Sequence, residues 1–274
     1  MTFTIDLEGR RALVTGGGQG IGRATARTLA DAGASAVNDV VANRAEAVAA
    51  EIRNRGGEAD AAAFDVTDRH AVRAAIRALD GVDILVNNAG NAGTETFIPL
   101  VPLADTDPDT WDRFLRVNLY GVMYCTHAAL PAMIAKGEGR IVSIVSDAGR
   151  FGDPYLAPYA AAKAGAAGFC RSVAREVGRH GITVNCVSLG SIRTSTTTGS
   201  NTGDDRTAGN EPSGPRDADG PNDEAARRRL SRYIIRRHGE PADVAAMVTY
   251  LASPLASWIT GQTYPVNGGY TLSL

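Results

Sequence analysis

Residues 15–22 read Thr15-Gly16-Gly17-Gly18-Gln19-Gly20-Ile21-Gly22, and their placement decides the fold. The apolar run Arg11–Thr15 precedes them, while Ile21, Thr25, Leu29 and Ala32 recur afterwards at helical spacing. A strand that breaks into a glycine turn and then a helix can cradle a phosphate. The glycines let the main chain approach an anion closely, and the helix N-terminus adds unpaired N–H groups with partial positive charge. A glycine-rich string alone is weak, but between strand and helix it points to a dinucleotide pyrophosphate. Gly16, Gln19, Gly20, Ile21 and Gly22 are the candidate contacts. Asp39 closes the next apolar run, 23 residues after Gly16, where a carboxylate can hold a ribose 2′-hydroxyl and would repel a 2′-phosphate. That favours NAD. Arg44 lies close enough in sequence to keep NADP open, and Asp39 could instead simply cap the following helix.

The rest of the chain repeats this rhythm. Candidate strands are Arg11–Thr15, Ala34–Asp39, Ala59–Asp65, Val82–Asn87, Arg140–Ser146, Thr183–Ser188 and Gln262–Val266. Most are apolar at consecutive positions, as strands buried on both faces should be. Helical stretches fall at Gly20–Ala32, Ala42–Arg55, Arg69–Leu79, Pro108–Ala135, Ala157–Arg179 and Pro241–Ala252, with Gly33, Gly137 and Gly181 as stops. The expectation is an α/β protein: a single domain over residues 1–274, doubly wound (Rossmann), with a seven-stranded parallel sheet and helices on both faces. Residues 193–229 break the pattern. They hold no Val, Ile, Leu, Met or aromatic residue and cannot bury enough apolar surface to order themselves. Following a strand's C-terminal end, they read as a mobile substrate lid rather than an inert insertion.

Composition narrows the function. With 44% hydrophobic residues in 274 and a formal net charge of −2, the chain has enough apolar content for a core. It also has no long-range attraction to nucleic acid or anionic membranes. No apolar stretch nears the roughly 18–20 residues that span a bilayer. Met1–Gly9 carries Asp6 and Glu8 and does not read as a signal peptide, so a cytoplasmic protein is expected. Cys125, Cys170 and Cys186 are scattered and read as buried thiols. The four histidines are dispersed, and no metal site is expected. Of 28 basic residues, only Lys136 and Lys163 are lysines, which directs attention to what a lysine does that arginine cannot.

Lys163 follows Tyr159 by four residues, on one helix face. A phenol titrates near ~10 and needs a neighbouring ammonium to serve as a base at neutral pH. Ser146 ends the fifth strand, thirteen residues before Tyr159, and can hydrogen-bond a substrate oxygen. With these residues the chain resembles the short-chain dehydrogenase/reductase family, in its shorter-chain subgroup that includes 3-oxoacyl-(acyl-carrier-protein) reductases. Thr15-Gly16-x-x-x-Gly20-x-Gly22, Asn87-Asn88-Ala89-Gly90, Asn118, Ser146, Tyr159-x-x-x-Lys163 and Val266-Asn267-Gly268-Gly269 carry the resemblance. It departs at Leu189-Gly190, where the family usually has Pro-Gly.

The resemblance implies roles. Tyr159 would be the general acid/base. Lys163 would depress its pKa and hold the nicotinamide ribose, and Ser146 would orient the substrate oxygen. Asn118 would interrupt its helix and anchor a water linking Lys163 to solvent. Asp65 and Val66 would flank adenine, Asn87, Asn88 and Gly90 would line the cofactor cleft, and Ile192 and Thr194 would meet the carboxamide. The implied activity is interconversion of a ketone and a secondary alcohol with NAD, or NADP. Phe151, Tyr155, Leu156, Leu230, Tyr233 or Ile234 would grip the substrate. A dimer or tetramer through the helices bearing Asn118 and Tyr159 is also implied. The alternative is NADPH-dependent reduction of a 3-oxoacyl thioester, docked by the basic run Arg227, Arg228, Arg229, Arg232, Arg236 and Arg237, which otherwise reads as a solvated helix face. An epimerase or dehydratase is disfavoured by the glycine spacing, and a non-catalytic NAD-binding protein by the presence of Ser146, Tyr159 and Lys163.

Overall fold

In a computed structural model, which describes residues 5–7, 9–33, 36–90, 101–193 and 230–272, seven parallel strands form one sheet. They are β1 (Ala12–Val14), β2 (Ala36–Asp39), β3 (Asp60–Ala63), β4 (Ile84–Asn87), β5 (Gly139–Ser146), β6 (Ile182–Leu189) and β7 (Thr263–Val266), in the order β3-β2-β1-β4-β5-β6-β7. The order reverses between β1 and β4, and the crevice beyond their C-terminal ends is where such sheets take ligands. Each interior strand feeds two cores by alternation. Val14, Ile84, Val86, Val142 and Ile144 face one layer, and Leu13, Leu85, Ile141 and Val145 face the other.

On the first face lie α1 (Gly20–Asp31) and α2 (Ala42–Asn54) with the late helix, here α8 (Pro241–Ala252). Ala26, Leu29, Val48, Ile52, Val244, Val248 and Leu251 are their buried residues. On the second lie α3 (Arg69–Ala78), α5 (Gly121–Lys136) and α7 (Ala157–Val177), through Val72, Ile76, Cys125, Ala129, Met133, Ala166, Cys170 and Val173. All three cysteines are free and buried. Among the described residues no helix is long and apolar enough to cross a membrane, and no group of three or more His, Cys, Asp or Glu could hold a metal ion.

Three details differ from the sequence expectation. The helix expected over Pro108–Ala135 is broken: α4 (Trp111–Leu115) runs into a π-helical turn at Arg116–Tyr120 before α5 begins. A short helix, α6 (Ala148–Phe151), follows β5. Strand β3 is an edge strand and largely exposed, so small Ala61-Ala62-Ala63 suffices there in place of a β-branched run. Residues 194–229, nearly all of the expected lid, lie outside the described residues, as does Thr194.

Candidate active site

The glycine loop is held by polar side chains from three strand ends. Thr15 donates from Oγ1 to Val86 O (3.3 Å) and accepts from the N–H groups of Asn88 and Ala89 (both 3.0 Å). Asn38 Oδ1 accepts from Gly16 N (3.3 Å), while its Nδ2 donates to Ala62 O (2.9 Å) and Phe64 O (3.0 Å). Asn88 Nδ2 donates to Thr15 O (2.9 Å) and Gly16 O (3.1 Å). Helix α1 then starts against the loop: a Cβ on Gly22 would lie 2.1 Å from Gly16 O and 2.5 Å from Asn88 Nδ2, so only glycine fits there. The N-cap, Gln19, makes no side-chain hydrogen bond to the first turn, leaving that turn's N–H groups for an anion. Asn38 escaped the sequence reading; its signal was an amide next to Asp39 in an otherwise apolar run.

At the loop's outer wall Asp39 is buried. Its Oδ1 accepts from Arg44 Nη2 (2.9 Å), Arg44 Nε (3.1 Å) and Val41 N (2.9 Å), and Arg44 Nη1 reaches Gln19 Oε1 (3.3 Å). The other carboxylate oxygen faces the loop, 2.6 Å from where a Cβ of Gly18 would stand. This wall of the loop combines an acceptor with a guanidinium.

The candidate reaction centre lies at the C-terminal ends of β4 and β5. Gly90 brings the two halves together, since a Cβ there would stand 3.1 Å from both Asn118 Oδ1 and Lys163 Nζ. Asn118 is fully buried within the π-helical turn, its Nδ2 donating to Phe114 O (3.0 Å). π-Helical turns are frequent at functional sites. The Phe114 ring meets Tyr159 edge-on at 6.2 Å. Lys163 is buried on α7, donates to Ile144 O at 2.9 Å, and has its Nζ 5.8 Å from the Tyr159 ring centroid. Loss of water lowers its ammonium to about 8. Ser146 ends β5, its Oγ accepting from Ala148 N (3.2 Å).

The other residues expected at the site have the following surroundings. Tyr159 carries its hydroxyl beside Ser146. Burial pushes that hydroxyl up, the Ser146 hydroxyl works in the opposite direction, and the charge of Asp153 adds to the rise. The Lys163 ammonium gives one of its three N–H groups to Ile144 O. Asn87 is buried, and its Nδ2 donates to Thr126 Oγ1 (3.1 Å) and Ser143 Oγ (3.2 Å), tying β4 to α5 and β5. Asn88 holds the loop's backbone at Thr15 and Gly16. Asp65 is exposed beyond β3, where it accepts from Thr67 N (2.8 Å), and buried Val66 packs against Gly121. Ile192 forms a parallel bridge with Gly239.

A buried carboxylate next to the centre was not foreseen. Asp147 accepts from Ser188 Oγ (2.5 Å), Asn267 Nδ2 (2.5 Å), Thr271 Oγ1 (2.8 Å) and Arg150 Nη1 (3.3 Å). Nearby, Tyr233 stacks on Tyr270 at 5.1 Å and accepts from Ser191 N (3.1 Å), and Tyr270 reaches Asp153 (3.4 Å). The segment around Tyr233 is thus fastened to the C-terminal turn.

Residues 10–205 match the family described as short chain dehydrogenase. The 3-oxoacyl-(acyl-carrier-protein) reductase FabG of Vibrio harveyi is 36% identical over 269 residues, 97% of this chain and 98% of that protein. A reductase of the same name from Synechocystis is 37% identical, over 95% of this chain and 96% of its own length. The crystal structure of a gluconate 5-dehydrogenase from Burkholderia cenocepacia, in complex with NADP and tartrate, superposes with a TM-score of 0.82 at 34% identity, covering 98% of both chains. The chain belongs to the short-chain dehydrogenase/reductase family of NAD(P)-binding oxidoreductases.

Proposed function

We propose that the protein interconverts a ketone and a secondary alcohol, with Tyr159 as general acid/base and NAD as cofactor. The observation that carries this reading is the meeting of Asn118 from the π-helical turn and Gly90 after β4 with Lys163, which lies one turn beyond Tyr159 on α7. A bound nicotinamide supplies or accepts the hydride. The protein's own groups manage the oxygen: Ser146 donates to it, and Tyr159 Oη gives its proton in reduction and takes one in oxidation. A raised phenol suits the donor role, keeping Tyr159 protonated at neutral pH. Oxidation then needs added positive charge near the phenol, which Lys163 and an oxidised nicotinamide would provide. Tyr159→Phe should lower kcat by about 10²–10⁴-fold with dinucleotide affinity unchanged in a fluorescence titration; retained turnover would remove the proposal.

NAD is favoured because the Asp39 oxygen facing the loop suits ribose hydroxyls and repels a phosphate. NADP is supported by Arg44 and by the NADP complex of the Burkholderia relative. Titration with NADH and NADPH separates them. Tighter NADH binding that weakens in Asp39→Ala supports NAD, whereas tighter NADPH binding lost in Arg44→Ala supports NADP.

The names of the FabG relatives favour a second reading, reduction of a 3-oxoacyl thioester. Arg232 and Arg236 are exposed, whereas Arg237 is engaged by Asp243 (2.6 and 2.8 Å) and Arg227, Arg228 and Arg229 lie outside the described residues. Arg232→Ala with Arg236→Ala should raise KM for a carrier-bound substrate and leave KM for its short thioester unchanged. We also infer a cytoplasmic homodimer or homotetramer. Supporting this, Tyr120 and Ile134 are exposed at and along α5, and Trp258 is 98% exposed near exposed Tyr250 and Leu255. Light scattering after gel filtration gives the mass, and a monomer would overturn it.

A further inference from the structure

Asp147 follows Ser146 directly and is 3% exposed, yet the chemistry assigned to Ser146, Tyr159 and Lys163 does not use it. Its two carboxylate oxygens are divided between different parts of the chain. Oδ1 accepts from Ser188 Oγ on β6 (2.5 Å) and Arg150 Nη1 on α6 (3.3 Å). Oδ2 accepts from Asn267 Nδ2 (2.5 Å) and Thr271 Oγ1 (2.8 Å), both on the turn after β7. That turn is closed on itself. Asn267 Nδ2 also donates to Thr271 O (3.2 Å), and Asn267 Oδ1 accepts from Gly269 N (3.0 Å).

The main chain of Asp147 is fixed as well. Its N–H donates to Leu189 O (3.0 Å), and its carbonyl accepts from the N–H groups of Arg150 and Phe151 (both 2.9 Å). The C-terminal turn lies directly on the end of β6, because a Cβ on Gly190 would stand 3.1 Å from Asn267 Cα. Within this frame Ser146 Oγ accepts from Ala148 N (3.2 Å), which fills one acceptor direction and leaves the hydroxyl hydrogen to be donated. The direction of that O–H is therefore set by residues 146–148, whose middle member is anchored through both main chain and side chain. Misplacing a reacting group by about 1 Å can cost about 10²-fold in rate.

We propose that Asp147 is a positioning residue: its carboxylate clamps the turn Asn267–Thr271 onto the ends of β5 and β6 and so aims the Ser146 hydroxyl at the substrate oxygen. This rests on the ketone–alcohol reading, in which Ser146 donates to that oxygen. Asp147 acts through Ser146, and the proton and hydride steps stay with the residues already placed.

Kinetics with ethyl acetoacetate, 2-butanone and cyclohexanone, run with NADH and NADPH where every variant is folded by circular dichroism, test the aim. Asp147→Asn should lower kcat by about 10–100-fold and leave dinucleotide Kd unchanged, since Thr15, Asn38 and Asn88 hold the glycine loop. Added to Ser146→Ala, the same substitution should change kcat by less than about 2-fold, because the group it aims is gone. A merely structural loss would cost the same factor in both backgrounds. Thr271→Val removes one donor while keeping the shape, guards against misfolding of the first variant, and should lower kcat by about 3–10-fold. Exchanging the pair, Asp147→Asn with Asn267→Asp, restores an amide–carboxylate contact and should raise kcat at least about 3-fold over Asp147→Asn alone.

Hydrogen exchange in the dinucleotide-free protein tests the clamp without turnover. The amides of Ile235 and Tyr270 donate to Gly268 O (2.9 Å) and Asn267 O (3.0 Å) on that turn, and both should exchange faster in Asp147→Asn. Unchanged exchange overturns the clamp. Wild-type kcat in Asp147→Asn or Thr271→Val overturns the positioning role, as do equal losses with and without Ser146. A wild type that reduces none of the three ketones overturns the ketone–alcohol reading, and faster exchange in Asp147→Asn would then leave the clamp alone standing.

Discussion

A buried carboxylate is tolerated only when its lone pairs are filled, and Asp147 has four donors on its two oxygens. Asp147→Asn would turn an amide against at least one of them, at about 2–3 kcal/mol for hydrogen bonds to a charged group. The melting temperature should fall by about 5–10 °C; a shift under a degree would mean the cluster contributes little. Lys163 makes a pH-dependent prediction. Its folded pKa, about 8, lies below the ordinary lysine value of 10.5 kept by the unfolded chain, so from pH 8 to 10.5 the unfolded chain binds a proton that the folded one does not. Stability from this group therefore rises with pH across that window. Urea titrations should show the wild type gaining on Lys163→Met between pH 8 and 10.5. At this scale the sequence exposed the chemistry but not the directions. Tyr159, Lys163 and Ser146 stood out by type and spacing. Nothing in the string Val86-Asn87-Asn88 says that the first amide faces Thr126 and Ser143 while the second holds Gly16.

Helix α8 opens with a reciprocal cap in which Glu240 N donates to Asp243 Oδ2 at 2.8 Å, and the Glu240 side chain accepts from the N3 backbone. Arg237 adds a bidentate pair and, with the Glu240 N–H, holds the Asp243 carboxyl at about 2. Because that value lies below the ordinary aspartate value of 3.8, the stabilisation is complete above pH 3.8 and is lost as pH falls through about 2. Asp243→Ala should cost about 1 kcal/mol near neutrality and converge on wild type near pH 2, as read by denaturant titration. An acid-independent difference would mean that the cap, and not the charge, is lost. The elements themselves were largely legible, because apolar runs of Val and Ile separated by helical spacing report burial directly. The break at Arg116–Tyr120 was not, since one inserted residue in a helix leaves the apolar period on both sides intact. Nor was α6, too short to show a period.

Across the whole molecule, the glycine loop is the point where β1, β2 and β4 are laced together by Thr15, Asn38 and Asn88. A dinucleotide seated there should stabilise all three strands. At a hundred times its Kd, either NAD or NADP should add about 2.7 kcal/mol, raising the melting temperature by several degrees; no shift with either would contradict a formed cradle. The sheet order was legible only as a class, because alternation of strands and helices implies parallel pairing but does not number the neighbours. The pairing of Asp147 with Asn267 and Thr271, 120 and 124 residues away, was invisible for the same reason: no local pattern reports so distant a contact. That separation has a consequence for biosynthesis. While the chain is emerging from the ribosome, the carboxylate beside Ser146 lacks two of its donors until the final turn is made. A nascent chain stalled before residue 267 would keep its early strands yet carry an unfinished centre, so incomplete translation products should be catalytically silent.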